Sequence, residues 1–246
     1  MAELDFITPD WPAPANVRAA STTRTGGVSV GPYTSLNLGS HVGDDLAAVI
    51  ENRARVQRRL GLKRPPTWLN QVHGTAVAEA GNYPVPPTAD ACVARSAGNV
   101  CVVLTADCLP VLFCDEAGEA VAAAHAGWRG LVGGVLEETI GALQLPPHRL
   151  LAWLGPAIEH DAFEVGREVR EQFIARDGAF AGSFTSNTAG RWQADLYGLA
   201  RHELMRLGVA RVYGGGFRSF EDQDRFFSYR RDGQTGRMAS AIWLER

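Results

Sequence analysis

The stretch VCVVLTADCLPVLFCDEAGEAVAAAH, residues 100–125, contains three short apolar runs separated by turn-forming residues. Short runs rich in β-branched and other apolar residues, bounded by turn residues, are typical of strands. We predict strands at 100–105, 109–114 and 120–125, with the DEAG turn at 115–118 joining the last two as a hairpin. Strands that follow one another without an intervening helix favour the α+β class over a doubly wound sheet.

Both flanks of this stretch predict further strands and helices. The helix at 46–60 has Asp44 or Asp45 as its N-cap and Gly61 as its stop. The other predicted elements are a strand beginning at 15, strands at 68–72, 75–79, 150–154 and 238–244, and helices from Gly130 to Leu143, at 166–176 and at 195–207. No repeat or long linker divides the chain, so we expect one domain over residues 1–246.

Composition excludes several classes of protein. The 46% hydrophobic and 21% charged fractions are typical of a globular fold rather than a disordered chain. A formal net charge of −3 argues against a protein that coats nucleic acid or binds membranes through a polybasic surface. No apolar run approaches the ~20 residues of a membrane span. The opening MAELDFITPDW lacks the pattern of a signal peptide, so we expect the 4 cysteines to be thiols in a cytoplasmic protein.

Three soft or borderline metal ligands stand at predicted strand ends, each followed by a small or turn-forming residue. They are His73 in NQVHG, Cys108 in ADCLP and His125 in AHAGWRG. Imidazole and thiolate are good zinc ligands, and three protein ligands with a fourth position left to water are typical of catalytic zinc. Their wide spacing matches no short metal motif, however. A strand cysteine is often a core residue, so the residues alone leave a metal site and ordinary packing both open.

Nearly the whole chain carries segments that can be matched to one known pattern. In chain order they are STTRTGGVS, SLNLG, NQVHG, TADCLPVLF, AAHAGWRGL, GPAI, FFSYRRDG and TGRM. They resemble the laccase-domain, or multicopper-polyphenol-oxidase-like, family. The resemblance implies an α+β domain with mixed β-sheets covered by helices in layers. It also implies purine nucleoside phosphorylase activity combined with adenosine deaminase activity.

The resemblance places the family's metal site on His73, Cys108 and His125, with zinc as the expected ion and copper as an alternative in the same site. Bound zinc lowers the pKa of its water toward ~7, which yields hydroxide at neutral pH. Attack of hydroxide on C6 of adenine would expel ammonia, as in zinc deaminases of another fold. Asp107 is the candidate proton shuttle beside Cys108, and orienting a turn or a ligand is its alternative role. The expected catalytic residues are therefore Asp107, Cys108 and His125.

Phosphorolysis needs a cationic cradle that delivers phosphate to the ribose C1′. Arg24 and Arg129 are the candidates, because a guanidinium binds phosphate oxygens bidentately and Arg129 stands where a helix begins. Asn37, Asn70 and Gln71 are candidates for ribose or base. Surface ion pairs for the arginines and loop bracing for the amides are the alternatives. We expect cleavage of adenosine or inosine, with methylthioadenosine left open, to base and ribose-1-phosphate, and neither nucleic acid nor a membrane as a partner.

Three other functions compete with this expectation. His₂Cys is also the ligand set of a blue-copper site, which would fit a copper-dependent polyphenol oxidase, but only 6 histidines are available for a multicopper centre. Cys108 activated by His125, with Asp107 orienting the histidine, would fit a Cys/His hydrolase such as an amidase acting on a cell-wall precursor. A binding or scaffold protein without catalytic activity is the third. Metal content and Cys108 alkylation distinguish the zinc enzyme from the Cys/His hydrolase.

Overall fold

A computed structural model describes residues 3–245 of the chain. Its strands are β1 (Phe6–Ile7), β2 (Val17–Thr22), β3 (Val77–Glu79), β4 (Ala91–Ala94), β5 (Val100–Thr105), β6 (Leu109–Asp115), β7 (Val121–Ala126), β8 (Leu150–Leu154), β9 (Glu164–Val165), β10 (Phe184–Ser186), β11 (Trp192–Ala194), β12 (Arg211–Gly214) and β13 (Met238–Leu244). Its α-helices are α1 (Leu46–Arg59), α2 (Trp128–Gly133), α3 (Val135–Leu143), α4 (Arg167–Arg176), α5 (Leu196–Arg206) and α6 (Tyr229–Asp232). None of the helices within this part of the chain has both the length and the apolar character that crossing a bilayer requires.

The strands form three sheets. A four-stranded sheet has the order β1-β2-β13-β5, a six-stranded sheet has the order β12-β8-β6-β7-β4-β3, and a small sheet has the order β10-β11-β9. The predicted hairpin is confirmed, since β6 and β7 pair antiparallel with Pro110 opposite His125. Two pairs of the six-stranded sheet, β12 with β8 and β3 with β4, are parallel, so this sheet is mixed. The expected α+β class is therefore confirmed.

Alternation along the strands explains how the layers stack. In β5, Cys101 and Val103 pack into the core between the two large sheets, whereas Val100 and Val102 pack on the opposite face with Val56 of α1. The other face of the six-stranded sheet is covered by α3, α4 and α5, whose apolar residues share its core. Side chains of successive strand residues point to opposite faces. Because both faces are buried, these strands appear in the sequence as continuous apolar runs.

Several predicted boundaries agree with the structure. Strands β5, β8 and β13 have the predicted bounds, and α1 begins after Asp45, whose side chain accepts a hydrogen bond from the Ala47 N–H at 3.0 Å. The predicted helix from Gly130 to Leu143 is wrong as a single element. Gly134 adopts a left-handed φ of 102° and divides it into α2 and α3.

One other predicted element is wrong, and several strands were not predicted. The predicted strand at 68–72 forms only isolated bridges, Asn70 pairing with Thr88 and the preceding Thr67 with Cys101. Residues Tyr229–Asp232 form the short helix α6, which Ser228 caps by accepting from the Arg231 N–H at 3.2 Å. Strands β1, β4 and β9 to β12 match no predicted strand.

The turn from β5 to β6 connects the two large sheets. Strand β5 lies at one edge of the four-stranded sheet and β6 lies inside the six-stranded sheet, so the intervening residues Ala106–Cys108 cross between the layers. Met238, the first residue of β13, pairs with Thr105, the last residue of β5. Residues from both sheets therefore meet around Cys108.

Candidate metal centre

Three side chains from separate segments converge at the end of the sheet sandwich. His73 lies in the loop before β3, Cys108 in the turn after β5, and His125 near the end of β7. One ligand atom of each residue lies within 4.8 Å of the others. The Cys108 Sγ is 3.8 Å from the His73 Nε2, and the two imidazole rings meet edge to face at 4.8 Å between centroids. The structure thus brings together the three residues expected to bind metal.

Asp90 holds two of these ligands in place. Its carboxylate lies 2.8 Å from the His125 Nδ1 and accepts backbone hydrogen bonds from Val72, His73 and Gly74 at 3.1, 2.9 and 2.7 Å. An ionised carboxylate can only accept, so the His125 Nδ1 carries the proton and its Nε2 is left free as a ligand atom. A carboxylate behind a metal-binding histidine is a common arrangement in metal sites. Hydrogen bonds to His125 and to backbone N–H groups keep the pKa of the buried Asp90 below its usual value, against the opposing effect of burial.

The backbone around the ligands adopts unusual conformations. His73 and Asp107 have φ values of 60° and 89°, in the left-handed region that residues other than glycine rarely occupy. Such conformations persist where surrounding contacts enforce them, and they cluster at functional sites. Gly127 is required for a different reason, because a Cβ there would lie 2.8 Å from the Cys108 Sγ and 3.2 Å from the His73 Cδ2. The cluster therefore leaves no room for a side chain at this position.

The local charges favour an ionised thiol. Burial by itself would raise the pKa of Cys108, but the charge and hydrogen bond of His125, together with His73, lower it to about 6. Burial would lower the pKa of His125, but Cys108 and Asp90 raise it above the ordinary value. A thiolate beside two imidazoles is the donor set that zinc and copper prefer. The residues present therefore fit a metal ion held by two nitrogens and one sulfur.

Comparison with known proteins assigns the family. Residues 18–245 match the model of the family described as multi-copper polyphenol oxidoreductase laccase. The chain belongs to this laccase-like family. A Pseudomonas aeruginosa protein named purine nucleoside phosphorylase is 55% identical over 241 residues, which cover 98% of both chains. The Escherichia coli purine nucleoside phosphorylase YfiH is 52% identical over 240 residues, 97% of this chain and 98% of the relative.

Solved structures of similar proteins share the fold. The crystal structure of a Neisseria meningitidis protein has a TM-score of 0.93 at 55% identity, covering 98% of this chain and 99% of that one. YlmD from Geobacillus stearothermophilus has a TM-score of 0.88 at 29% identity, covering 96% and 94%. The expected family, and the layered α+β fold that the resemblance implied, are confirmed.

The side chain of Asp107 points to a different set of partners from the metal ligands. Its carboxylate accepts hydrogen bonds from the hydroxyls of Ser219 and Ser228 at 2.7 and 3.0 Å and from the Arg230 N–H at 2.7 Å. It therefore joins the β5–β6 turn to the C-terminal segment that leads into α6. In this laccase-like chain these contacts favour the bracing role of Asp107 over the proton-shuttle role. The residue that orients His125 is Asp90, not Asp107 as the hydrolase hypothesis supposed.

The amides expected to bind substrate are engaged by the protein itself. The Asn37 side chain contacts Gly39, Asp44 and the Arg237 N–H through four hydrogen bonds of 2.9–3.1 Å. Gln71 binds both the N–H and the carbonyl of Leu104, at 2.7 and 2.9 Å. These contacts favour loop bracing for both residues. The exposed Asn70 donates to the Thr88 hydroxyl at 3.0 Å.

The two arginines proposed for phosphate differ in their surroundings. Arg24 donates to the carbonyls of Thr34 and Gln223 at 3.0 and 2.9 Å, and its guanidinium carbon lies 4.6 Å from the centroid of the Phe227 ring. It lines a polar cleft of about 640 Å³. Arg129 is exposed and stacks on its neighbour Trp128 at 4.5 Å. Neither arginine is drawn into the metal cluster by a contact within the described residues.

Asp90 is the main residue that sequence reasoning missed. It stands as a lone carboxylate directly before the buried strand β4, in the segment TADACVA, and is fully buried. An acidic residue at the start of an apolar run was the available signal, because a buried carboxylate requires partners. Its partner His125 lies 35 positions away, so the local pattern could not identify it.

Proposed function

We propose that the protein is a zinc-dependent purine nucleoside phosphorylase that cleaves adenosine or inosine with phosphate to free base and ribose-1-phosphate, and that it also deaminates adenosine. Phosphorolysis is supported by the sequence identity of 55% and 52%, over nearly the full length of the chain, to two proteins named purine nucleoside phosphorylase. Convergence of His73, Cys108 and His125 supports a metal-dependent reaction. Methylthioadenosine remains a further candidate substrate.

His73, Cys108 and His125 would hold the zinc ion. When bound there, zinc supplies a water whose pKa is near 7, the nucleophile that deamination requires. Asp90 fixes the His125 tautomer and the loop that carries His73, so two of the three ligand atoms are oriented before any ion arrives. The thiolate of Cys108 is favoured by the neighbouring imidazoles. The protein thus contributes a preorganised donor set.

Two exposed side chains on residues that adjoin the site along the chain suit a purine ring. Val72 directly precedes His73 and is 55% exposed. Tyr229 directly precedes Arg230, whose backbone N–H donates to Asp107, and is 62% exposed. Aromatic side chains commonly stack on nucleobases, which contributes about 1–3 kcal/mol per base. We infer that Tyr229 and Val72 contact the base.

The decisive experiment incubates the zinc-loaded protein with adenosine and with inosine, each with and without phosphate, and separates the products by chromatography. Phosphate-dependent release of adenine or hypoxanthine with ribose-1-phosphate is the expected result, and inosine formed from adenosine without phosphate would demonstrate deamination. Cys108→Ala and His125→Ala should lack both activities and most of the zinc. Absence of any nucleoside turnover in zinc-replete protein would overturn the proposal.

A Cys/His hydrolase is the second candidate, and one observation favours it. Cys108, His125 and Asp90 form a thiol–imidazole–carboxylate series, the arrangement used by cysteine nucleophiles. An amidase acting on a cell-wall precursor would need Cys108 free of metal. Stoichiometric alkylation of Cys108 that abolishes activity in a metal-free, fully active preparation would favour this candidate. About one zinc per chain, required for activity, would exclude it.

A copper-dependent polyphenol oxidase is the third candidate, suggested by the family description. Across residues 3–245, His73, Cys108 and His125 form the one convergent group of three potential ligands. A multicopper centre requires further clusters of imidazoles, so a lone copper in this site is the remaining form of the hypothesis. Copper content and oxidation of a polyphenol by the copper-loaded protein test it.

The four unpaired cysteines support the expected cytoplasmic location.

A further inference from the structure

Arg237 is placed near the metal ligands by the sheet. It directly precedes Met238, the β13 residue that pairs with Thr105 at the end of β5, so it lies across from the turn that carries Cys108. The chain around Arg237 is anchored, since its backbone N–H donates to the Asn37 Oδ1 at 2.9 Å. Its aliphatic stem packs on Gly39, where a Cβ would lie 2.8 Å from the Arg237 Cγ. The side chain is therefore held rather than freely mobile.

The guanidinium of Arg237 keeps unused donors. Its Nη1 donates to the carbonyls of Thr235 and Gly236, both at 2.9 Å, and its Cζ lies 5.9 Å from the centroid of the Tyr229 ring. Within the described residues its Nε and Nη2 make no hydrogen bond. The pKa of Arg237 is lowered by burial, while the charges of Cys108 and Asp107 act in the opposite direction. A partly buried cation with free N–H groups is suited to an anionic ligand.

His41 adds a second polar group to the same place. His41 is the second residue after Gly39, on which the Arg237 stem packs, and it reaches solvent on that loop. Partial burial lowers its pKa, and so do the nearby charges of Arg237, Arg53, His125 and His73. A neutral imidazole can donate one hydrogen bond to an anion without adding to the local repulsion.

The carboxylates around Arg237 and His41 already accept hydrogen bonds from other groups of the protein. Asp44 accepts from the Ser29 hydroxyl at 2.6 Å and from the Asn37 amide at 2.9 Å, and Asp107 accepts from three donors. Arg53 is committed as well, since its guanidinium donates twice to the Leu38 carbonyl at 2.9 and 2.7 Å and stacks on Trp68. Arg237 and His41 are thus left to bind an external anion.

We propose that Arg237 and His41 bind the phosphate co-substrate beside the His73/Cys108/His125 centre. The inference rests on the proposed phosphorylase function and deepens it. An oxygen of hydrogen phosphate forms a bond to C1′ while the C1′–N9 bond breaks; the bonding electron pair leaves with the base, and the proton of hydrogen phosphate passes to the base. Arg237 would position the phosphate and offset its negative charge. This role replaces the one that sequence analysis assigned to Arg24 and Arg129.

The test compares Arg237→Gln, Arg237→Lys and His41→Gln with a matched control, Arg167→Gln, which removes an arginine of α4 whose side chain is 81% exposed. Zinc content and the thermal midpoint establish that each variant is folded. Steady-state phosphorolysis of inosine gives separate KM values for phosphate and inosine, and calorimetric titration with inorganic phosphate gives binding without turnover. We expect Arg237→Gln to weaken phosphate binding by at least about tenfold in both assays. The KM for inosine should stay within about twofold of the wild-type value.

His41→Gln should weaken phosphate binding by a smaller factor. Arg237→Lys should bind phosphate better than Arg237→Gln, and the Arg167→Gln control should match the wild type. Because a nucleotide 5′-phosphate presents the same chemistry, titration with adenosine monophosphate forms a second arm. An effect of Arg237→Gln on the nucleotide alone, or unchanged inorganic phosphate binding in this variant, would overturn the proposal. A change caused by Arg129→Gln in place of Arg237→Gln would do the same.

Failure of the two proposals can be told apart. If wild-type protein releases base only with phosphate but Arg237→Gln keeps its phosphate KM, the phosphorylase stands and the phosphate site is wrong. If wild-type protein turns over no nucleoside yet binds inorganic phosphate through Arg237, the site stands and the phosphorylase is wrong.

Discussion

The carboxylate of Asp90 lies 2.8 Å from the Nδ1 of His125 and also accepts the backbone N–H of His73. One buried side chain thus orients two ligands that are far apart in the sequence. Since its four hydrogen bonds all come from ligand residues or their immediate neighbours, this one carboxylate helps to set the geometry of the metal centre.

Asp90→Asn should therefore weaken metal binding while leaving the fold in place. An amide has one acceptor oxygen in place of two, and the loss of a carboxylate behind a metal ligand typically lowers metal affinity about 10–100-fold. Competition with a chromogenic chelator measures the change. Asp177→Asn is the matched control, because Asp177 forms a histidine–carboxylate pair with His202 at 3.0 Å outside the cluster. Equal zinc affinity in both variants would contradict the prediction.

The cysteines should differ in their reactivity toward iodoacetamide. In metal-free protein the Cys108 pKa is lowered to about 6, whereas burial and the charge of Asp115 raise that of Cys114 to about 12. Only the thiolate reacts, so alkylation of Cys108 should be half-maximal near pH 6, fall below that pH and level off above it. Cys114 should stay unmodified through neutral pH.

Mass spectrometry of the alkylated peptides reports each cysteine separately. Zinc should protect Cys108, and this protection should disappear when a chelator is added. A midpoint near pH 8.5 for Cys108, the value of an unperturbed thiol, would show that the imidazoles do not act on it.

Gly127→Ala should disturb the metal centre. Its Cβ would come within 2.8 Å of the Cys108 Sγ, too close for either atom to stay in place. We expect zinc content to fall at least severalfold, with far-ultraviolet circular dichroism unchanged. Gly141→Ala is the control, because a Cβ there meets open space in α3 and alanine favours a helix over glycine by up to ~1 kcal/mol. Normal zinc content in Gly127→Ala would refute the steric argument.

Protonation of Glu203 should lower the free energy of unfolding at acid pH. Glu203 is fully buried and bound by Arg176 and Arg206 at 2.7–2.9 Å. Burial would raise its pKa, but these hydrogen bonds lower it below 4.5, its ordinary value. A carboxyl whose folded-state pKa is depressed contributes stability above its unfolded pKa, and this contribution is lost as pH falls through the folded value.

Glu203→Gln should thus cost about 1.5–3 kcal/mol at pH 7, the range for hydrogen bonds to charged groups. The difference from wild type should shrink below about pH 4.5. Urea unfolding at both pH values measures it. Glu171→Gln removes an exposed partner of Arg167 and should change stability by less than ~1 kcal/mol. A difference in the free energy of unfolding between Glu203→Gln and wild type that stays the same at both pH values would contradict this prediction.

The apolar strands were predictable, but their arrangement was not. Strands β5, β8 and β13 are predominantly apolar because both faces are buried, and such runs are recognisable without a structure. The insertion of β13 between β2 and β5, from the far end of the chain, leaves no trace in local periodicity. Short strands such as β9, of two residues, are held by neighbours rather than by their own sequence.

The same distinction applies to the site. His73, Cys108 and His125 could be named as candidates because each is a ligand side chain at the boundary of a predicted strand, and the family resemblance pointed to the same three residues. Asp90 and Arg237 could not, since their roles arise from contacts between segments that only folding brings together. Asn37 and Gln71 show the converse, because an amide in a loop looks available in the sequence and is engaged by backbone in the structure.

The β6–β7 hairpin brings Cys108 and His125 together within a single sheet. Cys108 directly precedes Leu109, which pairs with Ala126 beside His125, and Asp90 directly precedes β4 of the same six-stranded sheet. The His73 backbone is tied to this sheet through Asp90. Ion uptake should therefore follow formation of the six-stranded sheet during refolding, and the free energy of metal binding should stabilise that sheet.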